Sequence, residues 1–294
     1  MVDELRYRST IILLLGKMSQ AGSDFSQQEC GDVGHYLRIL NPSEVKCLHH
    51  QDSRGLVGEF QQQKLEKEAA KNWDKFYKRN ETRFFKDRHW TTREFEELIG
   101  NDSSTRSLLE VGCGVGNFVY PLFEENLNLF IYACDFSPRA IQFVKNHPKY
   151  DESKIWAFEC DITKEELSNK ICGKVDIISM IFVLSAIHPE NYKEVVSNLY
   201  HCLRPGGMVL FRDYGLYDMA MLRFGPGSKL SEQLYVRQDG TRVYYFKEEE
   251  LGQLFKEAGF VVSNNSYISR KTVNKKEGIN AQRIFIQAKF VKPE

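Results

Sequence analysis

A mostly apolar strand, Leu108-Leu109-Glu110-Val111, runs straight into Gly112-Cys113-Gly114-Val115-Gly116-Asn117, and this junction constrains the chain more than any other feature. Glycines let the backbone turn sharply and let a ligand lie against bare backbone, while the helix expected next offers free N–H groups. A dinucleotide fingerprint spaces its glycines G-x-G-x-x-G. Here the third glycine comes one residue early, and an acid, Glu110, precedes the loop. The junction implies a nucleotide-like cofactor at the carboxyl end of a strand.

Downstream of the polar break at 101–107 the sequence alternates strands with helices, the signature of a parallel sheet covered on both faces. Strands are predicted at 107–112, 130–135, 156–161, 175–184 and 208–214, with a C-terminal pair near 260–268 and 283–291. Helices are predicted between them at 118–125, 138–147, 164–169, 191–202 and 248–258. Arg204-Pro205-Gly206-Gly207 reads as a turn ahead of the fifth strand, and Gly259 as the residue that ends the last helix. The expected fold class is α/β, with a mostly parallel seven-stranded sheet and an N-terminal helical extension.

Upstream, residues 1–55 lack sustained periodicity and read as a mobile extension. Residues 59–80 are rich in strong helix formers, with Leu65, Ala69, Trp73, Phe76, Tyr77 and Asn80 near one face, and predict one helix. A short helix follows, with Thr91 or Thr92 as its cap. The organisation is therefore an extension (1–55), a helical basic segment (56–104) and one α/β domain (105–294), which a chain of 294 residues accommodates.

Forty basic and forty acidic residues cancel, but their distribution is uneven. Lys75, Lys78, Arg79, Arg83, Lys86, Arg88 and Arg93 face only Glu81 and Asp87, a local charge of +5. Between Arg270 and Lys292, seven more basic residues, Lys275 and Lys276 among them, stand against Glu277 alone. Two basic segments on an acidic body suggest a polyanion footprint; a solvated face is the plainer reading of the same charges. Seven cysteines without a C-x-x-C pair, and no His cluster at zinc spacing, indicate neither a disulfide framework nor a metal, and suit a reducing cytoplasm or nucleus. The longest apolar runs fall short of the ~20 residues of a membrane helix.

Two further acids sharpen the cofactor expectation. Asp135 ends the second predicted strand, where a carboxylate accepts both ribose hydroxyls of a nucleoside, and Asp161 ends the third, placed to meet an adenine amine. Ile162 and Ile181 either flank the adenine or belong to the core. Glu110 with the G-x-G-x-G loop resembles the first motif of class I S-adenosylmethionine (AdoMet) methyltransferases, whose fold is Rossmann-like. After the fourth strand the chain reads Ile181-Phe182-Val183-Leu184-Ser185-Ala186-Ile187-His188-Pro189. That run holds no N/D-P-P-Y/F box, no cysteine nucleophile and no double-glutamate loop, so the acceptor is expected to be a nucleophile that attacks unaided.

Longer runs carry a closer resemblance: FQQQKLEKEAAKNWDKFYKRN, FFKDRHWTTREFEEL, LEVGCGVGN, ACDFSPRAI, IFVLSAIHP, FRDYGLYDMAMLRF, YVRQDGTRVYYF and TVNKKEG. Over about residues 57–292 the chain resembles the methyltransferase-like tRNA 3-methylcytidine methyltransferases, most of all the cytosolic serine-tRNA member; residues 1 to about 35 do not match. The resemblance implies that Trp73, Tyr77, Gly112, Asp135, Asp161, Ile162 and Ile181, with Gly114 in the same loop, contact AdoMet. It implies methylation of cytidine at tRNA position 32, and seryl-tRNA synthetase as a helper. Lys75, Arg79, Arg83, Lys86, Arg88, Lys275 and Lys276 then become candidate tRNA contacts.

Cytosine N3 carries an in-plane lone pair, so attack on a sulfonium methyl needs no general base, and alignment and desolvation supply the acceleration. The product base is cationic. Asp213 and Tyr214, at the end of the fifth strand, are candidates to stabilise it, with His188 a third; Asp213 pairing with a neighbouring arginine is the alternative. Two other readings of the whole chain stay open on these residues: a methyltransferase for a small molecule or protein, and a catalytically silent module assisting a synthetase.

Overall fold

The apolar run at Leu108–Val111 is explained by neighbours on both sides. Strand β1 (Arg106–Val111) pairs in parallel with β2 (Leu129–Asp135) and with β4 (Val175–Ile181), and Leu108, Leu109 and Val111 are all buried. A strand covered on both faces reads as a continuous hydrophobic run. A computed structural model describes residues 39–100, 104–274 and 279–294, with side chains outside 271–282.

The remaining strands of the main sheet are β3 (Ile155–Glu159), β5 (Leu203–Tyr214), β8 (Val261–Asn274) and β9 (Ile279–Val291). Their order is β3-β2-β1-β4-β5-β9-β8, with β9 antiparallel to both β5 and β8 and the other pairs parallel. The order reverses between β1 and β4. That switch point is where open α/β sheets bind ligands, outside the carboxyl ends of the strands.

Helices α5 (Val119–Glu124), α6 (Pro138–Lys145), α7 (Tyr192–Cys202) and α9 (Glu248–Glu257) lie close to their expected positions. Ser137 caps α6 by accepting from the Ala140 N–H at 3.3 Å, and Pro138 takes the first helical position, where its missing N–H costs nothing. Among the described residues no helix is long and apolar enough to cross a membrane.

Several local expectations are corrected. Part of the supposed mobile extension is ordered: Pro42–Gln51 forms α1, with Asn41 and Glu44 completing a reciprocal capping box. Gln51 is buried and donates to the Met221 carbonyl at 2.8 Å, while its oxygen accepts from Tyr235 Oη at 3.1 Å. Residues 1–38 lie outside the described residues.

The helix expected over 59–80 is two helices, α2 (Glu59–Lys67) and α3 (Ala69–Asn80), separated at Glu68. Leu65 packs against Leu230 and Leu234, whereas Phe76 and Tyr77 pack against Val115 and Ala140, so one straight axis does not serve both. In α4 (Thr91–Glu94), Thr91 is the first helical residue and donates its hydroxyl to the Arg88 carbonyl at 3.0 Å; neither threonine caps.

Residues 164–169 form only a 3-10 turn at Leu167–Asn169, because the Asn198 side-chain oxygen takes the Leu167 N–H that would open a helical ladder. The Arg204–Gly207 turn is absorbed into an irregular start of β5. The β8–β9 pairing runs on to Asn274 and Ile279, well past the predicted pair. A second sheet, β6 (Leu234–Val236) with β7 (Arg242–Tyr244), was not anticipated. Its signal was Asp239-Gly240 between two short apolar runs, a tight-turn dipeptide.

Candidate active site

The glycine loop closes β1 in a conformation that only glycine adopts cheaply. Gly112 has φ of +63°, and a Cβ there would lie 2.6 Å from a Val183 methyl carbon. At Gly114, φ of +54° turns the N–H toward Asp135 Oδ2, which accepts it at 3.0 Å. The Ser137 N–H donates to Asp135 Oδ1 at 2.9 Å, and the Tyr77 hydroxyl is a further donor. Burial nonetheless pushes the Asp135 carboxyl up to about 6, and pushes the Tyr77 hydroxyl, beside this carboxylate, well above its usual value. Each carboxylate oxygen has lone pairs left for a ligand.

Asp161 follows β3 by two residues. Its Oδ1 accepts from the Thr163 hydroxyl at 2.6 Å and its Oδ2 lies 2.6 Å from Lys164 Nζ. Burial raises this carboxyl, but those two contacts outweigh it and hold the pKa below the ordinary range.

Two clefts meet over this loop. The first, about 860 Å³ with its open mouth, is lined by Asp135, Asp161, Ile162 and His188. The second, about 830 Å³, is lined by Arg88, Gly114, Ile181, Ser185, Tyr214 and Arg237. Trp73, Tyr77, Gly112, Phe182 and Arg242 belong to both. Helix α3 delivers Trp73 and Tyr77 because Asp74 anchors it to α6, accepting from Ser137 Oγ at 3.0 Å and from Arg139 Nε at 3.3 Å. Arg242 is buried and ion-paired to Glu66, tying α2 to β7 across the same wall.

The second cleft is aromatic. Phe182 sits 5.0 Å from the Tyr214 ring and 5.3 Å from Phe285, and its φ is +61°, a backbone conformation uncommon for a bulky residue. Arg88 is enclosed here: its guanidinium lies 4.0 Å from Glu110, donates to the Ile181 carbonyl at 3.3 Å and sits 5.6 Å from the centre of the Phe182 ring. Burial lifts the Glu110 carboxyl to about 8 against the pull of Arg88, and Glu110 Oε2 has no hydrogen-bond partner among the described residues.

Three placements differ from the sequence reading, and a fourth decides between its alternatives. Asp213 is fully buried and lines neither cleft; its oxygens accept from the backbone N–H groups of Ser185 at 2.9 Å and Tyr214 at 2.8 Å. It does not pair with Arg212, which is held by Glu94 at 2.9 Å and stacks 3.9 Å from the centre of the Trp90 ring. His188 lines the first cleft, away from Tyr214, and its Nδ1 accepts from the Glu190 N–H at 3.4 Å. Ile181 lines the second cleft and is buried in the core, the alternative that the sequence left open, while Ile162 lines the first. Arg88 is internal, donating to the Ile181 carbonyl and lining the second cleft, and does not belong to an outer phosphate track.

Lys75, Arg79, Arg83 and Lys86 are exposed, as an outer track requires. Lys275 and Lys276 lie outside the described residues. Sequence reasoning missed Phe182, Ser185, Arg237 and Arg242, the last two because the β6–β7 hairpin was not recognised.

A family profile described as a methyltransferase domain matches residues 67–264. The chain is 56% identical over 264 residues to the tRNA N(3)-cytidine methyltransferase METTL6 of Mus musculus, covering 88% of this chain and 93% of that one. It is 46% identical over 241 residues to the tRNA N(3)-methylcytidine methyltransferase trm141 of Schizosaccharomyces pombe, covering 80% and 97%. Among solved structures, a SAM-dependent methyltransferase from Anabaena variabilis superposes with a TM-score of 0.58 at 15% identity, over 76% of this chain and 94% of that one, a likeness of fold.

Proposed function

The chain belongs to the tRNA N(3)-cytidine methyltransferase family, and we infer from this that it transfers the AdoMet methyl group to N3 of a cytidine in tRNA. The activity for which these relatives are named favours this reading over one with a small-molecule or protein acceptor.

The observation that carries it is the shared wall. A cleft with two strand-end carboxylates opens, past Gly112 and Phe182, into a cleft lined by aromatic rings and arginines. The first fits AdoMet: Asp135 for the ribose hydroxyls, Asp161 for the adenine amine and Ile162 for the adenine face. AdoMet supplies a methyl group made electrophilic by its sulfonium. Everything else falls to this chain's own side chains.

Cytosine presents N3 as a lone pair, so the second cleft has to exclude water and fix the approach rather than remove a proton. Tyr214 and Phe182 provide flat apolar walls for a base. Arg88, held by the Ile181 carbonyl, is a fixed donor at its edge. The base becomes cationic on methylation; Asp213, ionised above pH about 6, puts a negative charge beneath this floor and acts through Ser185 and Tyr214 without touching the base.

The finer reading is that the acceptor is cytidine 32 in the anticodon loop of serine tRNA, with seryl-tRNA synthetase as helper, in cytoplasm and nucleus. Support comes from the motif resemblance, from N3 lying on the Watson–Crick edge, which is free only in an unpaired or flipped base, and from the cysteine usage. The test is nucleoside mass spectrometry of unmodified tRNA treated with enzyme and AdoMet, with and without the synthetase. The expected product is 3-methylcytidine, located at position 32 by a primer-extension stop and formed fastest on serine tRNA. Methyl transfer to another nucleoside, or none under either condition, overturns the reading.

A further inference from the structure

The second cleft continues outward. Arg237 and Asp239, which line it, also line a groove of about 1140 Å³ whose other walls include Arg79 of α3 and Arg223 and Phe224, just past α8 (Met219–Leu222). Three arginines thus line one groove against the single carboxylate of Asp239.

Their bonding is unequal. Arg79 reaches Asp239 only at 3.5 Å, with its side chain 64% exposed. Arg237 donates to Thr241 Oγ1 at 3.3 Å and to the Arg242 carbonyl at 3.1 Å, which fixes its direction, and it makes no ion pair within 4.0 Å among the described residues. Arg223 is exposed and has no ion pair or side-chain hydrogen bond among the described residues. The wall beneath is firm: Phe224 stacks on Tyr235 at 4.7 Å and 19°, and Tyr235 donates to buried Gln51.

A strand that extrudes one base into the second cleft leaves its sugar-phosphate at the cleft mouth. There Arg237 is shared between cleft and groove, and guanidinium forks match phosphate oxygens in a way that lysines do not. We propose that this groove is a phosphate-binding subsite for the RNA strand, taking a phosphodiester next to the methylated cytidine, with Arg223 and Arg79 as its ligands and Arg237 at the boundary. The proposal rests on the tRNA reading above and extends it to a backbone site outside both clefts. Continuity with the base cleft favours RNA over an acidic polypeptide as occupant.

The test uses the full chain and a synthetic anticodon stem-loop RNA, with affinity measured at several salt concentrations and methylation measured at steady state. For Arg223→Ala the expected results are a KM for RNA raised roughly three- to tenfold, unchanged AdoMet affinity and kcat, and a salt slope shallower by about 0.7 to 0.9. Arg223→Lys restores the slope. Asp239→Asn keeps an amide oxygen for Thr241, releases Arg79 and tightens RNA binding, which a purely structural groove does not do. Parallel salt plots with an unchanged KM overturn the proposal, as does an Arg223→Ala effect that appears only once a partner protein is added. Wild-type chain that binds the RNA without forming 3-methylcytidine overturns the functional reading instead, and the binding arm still decides the groove.

Discussion

Asp213 Oδ2 accepts the backbone N–H of Ser185 at 2.9 Å, joining the end of β5 to the 3-10 turn Leu184–Ala186 that follows β4. Ser185 lines the second cleft while Asp213 does not, so the buried carboxylate sets the floor from behind. Asp213→Ala is expected to lower kcat roughly tenfold or more, the worth of a hydrogen bond to a buried charge, with AdoMet affinity unchanged by calorimetry. Equal losses of rate and cofactor affinity would assign Asp213 a general structural role.

Burial raises three acids of the site: Asp135 and Asp213 to about 6 and Glu110 to about 8. A raised folded-state pKa contributes stability that is complete below the usual carboxylate range and is lost as pH climbs through the raised value. The melting temperature of the apo protein should therefore fall between about pH 5 and 9, with His147, lowered by burial and Lys149, pulling weakly the other way. Cofactor affinity should move oppositely, rising through about pH 6 as Asp135 ionises. Glu110→Gln should flatten the alkaline part of the stability decline. Melting curves and calorimetry across that range check both trends, and a melting temperature that climbs throughout contradicts the first.

Asp135→Ala is expected to weaken AdoMet binding about ten- to hundredfold, because charge-assisted hydrogen bonds to a buried carboxylate contribute roughly 1.5–3 kcal/mol. Isothermal titration reads this directly, and unchanged affinity would remove Asp135 from the cofactor site.

Trp73 and Phe255 separate site from core. Trp73 is partly buried and lines both clefts, whereas Phe255 is fully buried and stacked 3.7 Å from Phe290. Trp73→Ala should cost methylation more than stability; Phe255→Ala should cost about 3–5 kcal/mol of stability. Paired denaturation and activity measurements distinguish the two, and identical profiles would make Trp73 ordinary core.

Lys75 and Lys86 are exposed on the segment that carries α3 and the approach to α4. Their double alanine replacement should flatten the salt dependence of tRNA binding by about 0.9 per lost phosphate contact, with AdoMet affinity constant. Parallel plots would return these lysines to a solvated face.

The sheet and the cofactor half of the site were legible because each rests on a local rule. A strand buried on both faces must be apolar, a backbone held at positive φ beside Val183 and Tyr77 must be glycine, and an acid at or just past a strand end announces itself by position, as Asp135 and Asp161 do. Trp73 and Tyr77 were legible because four residues return a helix to the same face. What the chain determines by itself, then, is whatever one strand, one turn or one helix face imposes on its own residues.

Only the tertiary structure decided which of two clefts each side chain meets and which charges stay free. Asp213 and Tyr214 are adjacent and alternate across the pleat, so one faces the cleft and the other is sealed behind it, bonded to a turn 28 residues away. Arg88 sits in a run of basic residues indistinguishable from its neighbours, yet it is turned inside onto the Ile181 carbonyl and the Phe182 ring while Arg79 and Arg83 remain exposed. Arg223 and Arg237 come beside Arg79 through a hairpin and a stacked Phe224 that no periodicity links to α3. Burial and pairing are properties of contacts between distant segments. Local patterns place a residue on a face, but the charge it keeps depends on what the rest of the fold brings against that face.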